Sequence, residues 1–97
     1  MRNEIKYIED IFGSKSKIKI LAALVKLREI NIAGLVRACD SGYTAIERSL
    51  KDLEKLGIVN EKRFGRIRII KLVENDIRVQ AIIKLFEAFE DYSRLLT

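Results

Sequence analysis

Leu53-Glu54-Lys55-Leu56-Gly57-Ile58-Val59-Asn60-Glu61-Lys62 decides how this chain is read. Leu53 and Leu56 close an apolar stripe at helical spacing. Gly57 follows, the one residue type that takes a left-handed cap without steric cost, and Ile58-Val59 opens a β-prone run. A helix therefore ends at Gly57 and a strand begins directly after it. Upstream, Ile46, Leu50, Leu53 and Leu56 stand four, three and three residues apart, which predicts one buried face on a helix over Tyr43–Leu56. Its opposite face carries Tyr43, Thr44, Glu47, Arg48, Lys51 and Lys55. Downstream, Ile58–Lys62 and Ile67–Leu72 flank Arg63-Phe64-Gly65-Arg66, where Gly65 can supply the positive φ of a tight hairpin turn. Ile67, Arg68 and Ile69 alternate before Ile70 breaks the pattern, so the hairpin is expected to bury one face and present a basic one.

Asp40-Ser41-Gly42 is a dense turn signal ahead of that helix. Before it, a short helix is expected over about Ala33–Cys39, with Gly34 as a weak spot costing up to ~1 kcal/mol against alanine. Arg28–Ile32 reads as extended, with Ile30 and Ile32 on one side. Ser14 offers an N-cap hydroxyl to a helix over Lys15–Leu27. Ile18, Ile20, Leu21, Ala22, Leu24 and Val25 make that helix apolar over more than half its circumference, which predicts the central, most buried position. Ile5, Ile8, Ile11 and Phe12 form the stripe of a short N-terminal helix, expected over residues 3–12 and ended by Gly13. A last helix is expected from Asp76 to Leu96, roughly 30 Å long at the usual rise, with Asn75 or Asp76 capping its start. Along it Ile82, Leu85, Phe89, Tyr92 and Leu96 follow a three-four-three-four spacing, the seam of a helix that pairs with another, widened by Val79, Ile83 and Phe86.

The 97 residues, 48% of them hydrophobic, suffice for one modest core and leave no room for a second domain. No apolar run approaches the roughly 20 residues of a membrane span, and the start lacks a signal peptide's apolar stretch, so a cytoplasmic location is expected. One cysteine, Cys39, allows no internal disulfide, and histidine is absent altogether. Imidazole acid-base chemistry has no residue to work with, and one cysteine without histidine argues against a thiolate or imidazole metal site. Cys39 reads as a small buried hydrophobe rather than a redox sensor. The net charge of +5 is unevenly spread. Residues 14–73 carry fourteen Lys and Arg against six Asp and Glu, a surplus of eight, while residues 1–13 and 74–97 are net acidic. A basic centre between acidic ends points to a polyanion partner; a solvated surface with chance asymmetry is the plainer alternative. The high Ile, Lys, Arg and Glu content with a single Gln hints at a thermophilic source.

Three stretches in this order resemble the winged helix-turn-helix regulators of prokaryotes, in particular the arsenic-repressor-like and multiple-antibiotic-resistance-regulator-like groups, here with an archaeal cast. They are Phe12-Gly13-Ser14-Lys15-Ser16-Lys17-Ile18-Lys19-Ile20-Leu21, then Leu35–Cys39 through Tyr43–Leu50, then Leu53–Val59. The resemblance covers about Phe12–Leu72. It implies a mainly α fold with a small β-hairpin, the winged unit over residues 13–73, flanked by the short N-terminal helix and a dimerisation helix over 75–96. At the turn the chain departs from the common glycine-aliphatic-serine pattern. Asp40 tolerates the left-handed conformation in place of glycine, but Ser41 brings no aliphatic side chain to bury.

The resemblance implies DNA binding, and physical reasoning reaches the same partner. A helix fits the major groove, and the residues at its N-terminal end meet base edges. Tyr43, Thr44, Glu47, Arg48 and Lys51 are the candidates. Arg48 can fork to guanine O6 and N7, and Thr44 can meet a thymine methyl or a phosphate. Glu47 can accept from cytosine N4, or orient Arg48. Lys62, Arg63, Arg66 and Arg68 sit on or beside the hairpin tip, where they can reach phosphates or a narrow minor groove. Lys15 and Lys17 are candidate phosphate contacts. The seam of the last helix, Ile82, Leu85, Phe86, Phe89, Tyr92 and Leu96, needs either the N-terminal stripe or a second copy of the chain, and a two-fold homodimer through it is expected. Neither a cofactor nor a metal is implied, and an enzyme is the least supported class because no paired base, oxyanion donor or metal accompanies the serines and carboxylates. The competing readings are an architectural nucleic-acid binder with little sequence preference and a winged-helix protein-interaction module.

Overall fold

The computed structural model describes residues 3–96, with side chains from residue 8 to residue 95. Helices α1 (Asn3–Phe12), α2 (Lys15–Leu27), α3 (Ile32–Cys39), α4 (Tyr43–Lys55) and α5 (Ile77–Leu96) surround a small sheet of β1 (Glu29–Asn31), β2 (Val59–Phe64) and β3 (Ile67–Leu72). Local chemistry sets most boundaries. Ser14 Oγ accepts from the Lys17 N–H at 3.2 Å and starts α2. Asn31 Oδ1 accepts from the Gly34 N–H at 2.8 Å, so α3 begins at Ile32, a residue earlier than its pattern suggests. Asp76 Oδ1 accepts from the Arg78 N–H at 2.8 Å, which selects Asp76 over Asn75 as the cap of α5. At the end of α4, Ile58 N–H donates to Leu53 C=O and Gly57 N–H to Glu54 C=O, both at 3.0 Å. With Gly57 at φ +78° this is a Schellman cap, and it turns the chain from helix into strand within two residues.

The core is a single cluster. Ile20, Leu21, Leu24 and Val25 of α2 meet Leu35 and Cys39 of α3 and Ile46, Leu50 and Leu53 of α4. Ile58, Val59, Ile70 and Leu72 close it from the sheet, Ile11 and Val79 and Ile82 from the terminal helices. The expected central place of α2 holds, with two exceptions. Ile18 and Ala22 are exposed, because α2 is covered by α3 and α4 on one side and only partly by α1 and α5 on the other.

The extended stretch expected over Arg28–Ile32 forms a strand: Glu29–Asn31 pair antiparallel with Ile69–Lys71, giving a three-stranded sheet of order β1-β3-β2. Gly34 lies against β1, where a Cβ would stand 3.0 Å from Ile30 Cγ1. The hairpin is tighter than its sequence suggests. Phe64 pairs with Ile67, leaving Gly65-Arg66 as a two-residue turn in which Gly65 alone has positive φ, the II′ pattern.

The expected faces of β3 need correction. Arg68, Ile70 and Leu72 share one face, opposite Arg63, Glu61 and Val59 of β2. Ile70 and Leu72 are fully buried, so the inward face is the one that carries Arg68, and Ile67 points outward. The cause lies in the Gly57 cap. It delivers Val59 to the core, Val59 pairs with Leu72, and the two-residue period of the sheet then carries Arg68 inward.

Candidate nucleic-acid interface

The turn between α3 and α4 works without the missing aliphatic residue. Asp40 takes φ +50° in the left-handed region, as the sequence suggests. Ser41 Oγ donates to Cys39 C=O at 3.2 Å, and Gly42 leads into α4 with no side-chain cap. Tyr43, Thr44, Arg48 and Lys51 project to solvent from the face of α4 opposite its Leu and Ile stripe. Lys62, Arg63 and Arg66 are exposed on the hairpin. Lys15 is exposed at the start of α2. These positions have the accessibility that a polyanion contact requires.

Two cations do not. Lys17 is turned inward: its Nζ donates to Asp10 C=O at 2.7 Å and pairs with Asp52 at 3.2 Å, with 12% of the side chain exposed. It joins α1, α2 and α4. Arg68 is held more firmly still. Its Nε and Nη2 donate to the two oxygens of Glu61 at 2.7 and 3.0 Å. Its Nη1 and Nη2 donate to the two oxygens of Glu47 at 3.0 and 2.8 Å. Nη1 also donates to the Tyr43 hydroxyl at 2.7 Å, and that hydroxyl stands 3.4 Å from Glu47 Oε2. Arg63 adds an ion pair to Glu61 at 3.2 Å. Two bidentate pairs on one guanidinium are the strongest arrangement a carboxylate-arginine contact offers.

The electrostatics follow from this geometry. Hydrogen bonds from Arg68 hold the Glu47 and Glu61 carboxyls below the ordinary value of 4.5, outweighing partial desolvation that acts the other way. The same bonds raise the Arg68 pKa. Glu47 therefore does not orient Arg48, one of the roles expected for it; it is the partner of Arg68. Glu61 was not among the sequence-derived candidates. Its signal is its parity: it lies two residues from the inward-facing Val59, and a carboxylate at an inward strand position requires a cation opposite. Elsewhere, burial pushes the Cys39 thiol up, against the opposing charge of Lys19. Among the described residues no group of three or more Cys, Asp or Glu is placed to hold a metal ion.

The expected seam of α5 divides. Ile82 belongs to the core and Phe86 stacks on Phe12 at a ring distance of 6.5 Å. Leu85, Phe89 and Tyr92 are exposed at 45%, 68% and 61%, and Leu95, which the seam omits, is exposed too. Ile5 and Leu96 lie outside the described side chains. Ile8, Ile11 and Phe12 of α1 and Ala81, Ile82 and Leu85 of α5 line an apolar groove of about 410 Å³, with Arg78 at its edge.

No protein-family model matches the sequence, and no curated protein matches it. Solved structures do match. HlyU from Vibrio cholerae superposes with a TM-score of 0.73 at 18% identity, over 92% of this chain and 97% of that one. An antimony-specific transcriptional repressor, AntR, gives 0.75 at 17% identity over 95% and 81%. The homodimeric winged helix-turn-helix DNA-binding domain of a Mycobacterium bovis protein gives 0.71 at 16% identity over 96% and 83%. The fold is a winged helix-turn-helix. In that winged helix-turn-helix α3 and α4 are the two helices of the motif and β2–β3 form the wing. The Tyr43-Glu47-Arg68-Glu61 cluster is then a direct bond between the second helix of the motif and the wing. No helix of the described residues is long and apolar enough to cross a membrane.

Proposed function

We propose that this chain is a DNA-binding transcription regulator of the arsenic-repressor type, acting as a two-fold homodimer. One observation carries the reading. The exposed face of α4, with Tyr43, Thr44, Arg48 and Lys51, adjoins a wing whose Lys62 and Arg66 are exposed and have no ion pair among the described residues. Arg48 is the candidate for guanine O6 and N7, and Thr44 for a thymine methyl or a phosphate. Lys62, Arg63 and Arg66 supply phosphate or minor-groove contacts, and Lys15 a further phosphate contact. Lys17 and Arg68 are withdrawn from the contact set, because their charges are already paired inside the fold. The exposed Leu85, Phe89 and Tyr92 support pairing through α5, with α1 beside it, which would bring two recognition helices to half-sites one DNA turn apart. The acidic residues at both ends of the chain are suited to a position away from the duplex.

Selection of bound duplexes from a random pool, at a fixed and stated salt concentration, tests this. The expected product is a palindromic motif whose half-sites are centred about 34–36 Å apart. Binding without enrichment would replace the regulator with an architectural binder. Absence of binding at low salt would leave only a protein-interaction role for the same fold.

A further inference from the structure

The wing carries four cations at its tip and flanks, Lys62, Arg63, Arg66 and Arg68, yet the structure divides them into two pairs. Lys62 and Arg66 stand free of ion pairs among the described residues. Arg63 and Arg68 are bound to Glu61, and Arg68 also to Glu47. Arg63, Glu61, Arg68 and Glu47 together are two cations and two anions, so this cluster is electrically neutral. Only 14% of the Arg68 side chain reaches solvent. Its guanidinium donates five hydrogen bonds from its three nitrogens, to Glu61, Glu47 and Tyr43, which leaves it little capacity for a phosphate.

We propose that Arg68 is a positioning residue for DNA recognition. By bridging Glu47 on α4 and Glu61 on β2 it sets the recognition helix against the wing, and it neutralises the carboxylate on the helix face that meets bases, so it governs sequence preference without touching DNA. This rests on the DNA-binding reading above. Two physical consequences follow. The angle between helix and wing is set by a planar, bidentate group, which a lysine ammonium cannot reproduce. And Glu47 released from Arg68 is an unbalanced negative charge beside phosphates, which penalises every duplex, while the loosened helix loses discrimination between them.

The test is a double-mutant cycle of Glu47→Gln and Arg68→Gln, together with Arg68→Lys and the contact control Arg66→Ala. Affinity is measured across a salt series for a duplex recovered by random-pool selection and for a random duplex of equal length. Thermal melts confirm that each variant is folded at the assay temperature. Arg66→Ala is expected to weaken both duplexes alike and to lower the salt slope by about 0.9. Arg68→Lys keeps the charge but is expected to reduce the ratio of selected to random affinity about tenfold, with the salt slope unchanged. Glu47→Gln is expected to lose discrimination as Arg68→Gln does, and the double variant no more than either alone, because both break the same bridge. If Arg68→Lys discriminates as well as the wild type, or if the two single effects add while Arg68→Gln alone lowers the salt slope, Arg68 is a phosphate contact and the proposal is overturned. If the wild-type protein binds neither duplex, the DNA reading itself fails and takes this proposal with it.

Discussion

The charge on a side chain says little until its partners are known. Lys17 and Arg68 carry the same formal charge as Lys15 and Arg66, yet the first two hold the fold together and the second two are accessible. The difference is one of parity and reach. Lys17 lies on the side of α2 that faces Asp10 and Asp52, and Arg68 lies on the inward face of β3. The Arg68 cluster also makes stability depend on pH. Glu47 and Glu61 have folded-state pKa values below 4.5, so the unfolded chain binds protons more readily in acid. Their contribution is complete above the unfolded value and is lost as pH falls through the depressed folded values. The groups facing Glu47 are Arg68, Lys51 and Tyr43, and those facing Glu61 are Arg68, Arg63 and Glu47. Arg68 is largely covered while Glu47 keeps 28% of its side chain exposed, so solvent screens the cluster in part, and Arg68→Met is expected to cost about 1–3 kcal/mol near neutrality. Urea unfolding of wild type and variant between about pH 7 and about pH 3 checks this: the difference should shrink toward acid. A difference independent of pH would remove the two carboxylates from the account.

Element boundaries were legible wherever a side chain or a glycine dictates them locally. Ser14, Asp40, Gly57 and Gly65 each act where the pattern places them. The third strand was legible only as an extended stretch, because its place in the sheet depends on pairing of Glu29–Asn31 with β3. The inward course of Arg68 was misread for a related reason. Alternation in β3 identifies two faces but not which one meets the core, and the choice is made upstream by the Gly57 cap. That cap is a sharp point of sensitivity. Gly57 sits at φ +78°, and a Cβ there would also stand 3.3 Å from Arg78 Nη2, which donates to Leu56 C=O. Gly57→Ala is expected to lower unfolding free energy by about 1–2 kcal/mol, read from the midpoint of a urea titration. An unchanged midpoint would mean that the helix-to-strand step tolerates a different turn.

The whole molecule, with principal extents of 42 × 40 × 25 Å, leaves part of its apolar surface uncovered. Leu85, Phe89 and Tyr92 stand exposed on α5 although Ile82, Ile83 and Phe86 of the same helix pack on the core, and Ile8 of α1 stands exposed on the rim of the groove that Leu85 lines. Replacing Leu85 and Phe89 by Lys and Glu should not unfold the chain, because both side chains are already solvent-exposed. It should convert a dimer into a monomer by light scattering at tens of micromolar protein, and reduce affinity for a two-half-site duplex by at least tenfold. A wild-type monomer at that concentration would sink the dimer. At this scale the division between sequence and structure is clear. The stretch from Leu53 to Lys62 determined a helix, a glycine stop and a strand, and with the turn at Asp40 and the hairpin at Gly65 that order was sufficient for the winged helix-turn-helix. These are local signals, carried by helical spacing and backbone conformation. Which charges remain available to a partner was decided only by the tertiary structure, since pairing joins residues as far apart as Glu47 and Arg68. The wing thus keeps Lys62 and Arg66 clear of ion pairs among the described residues, leaves Arg63 exposed beside Glu61, and uses Arg68 within the fold.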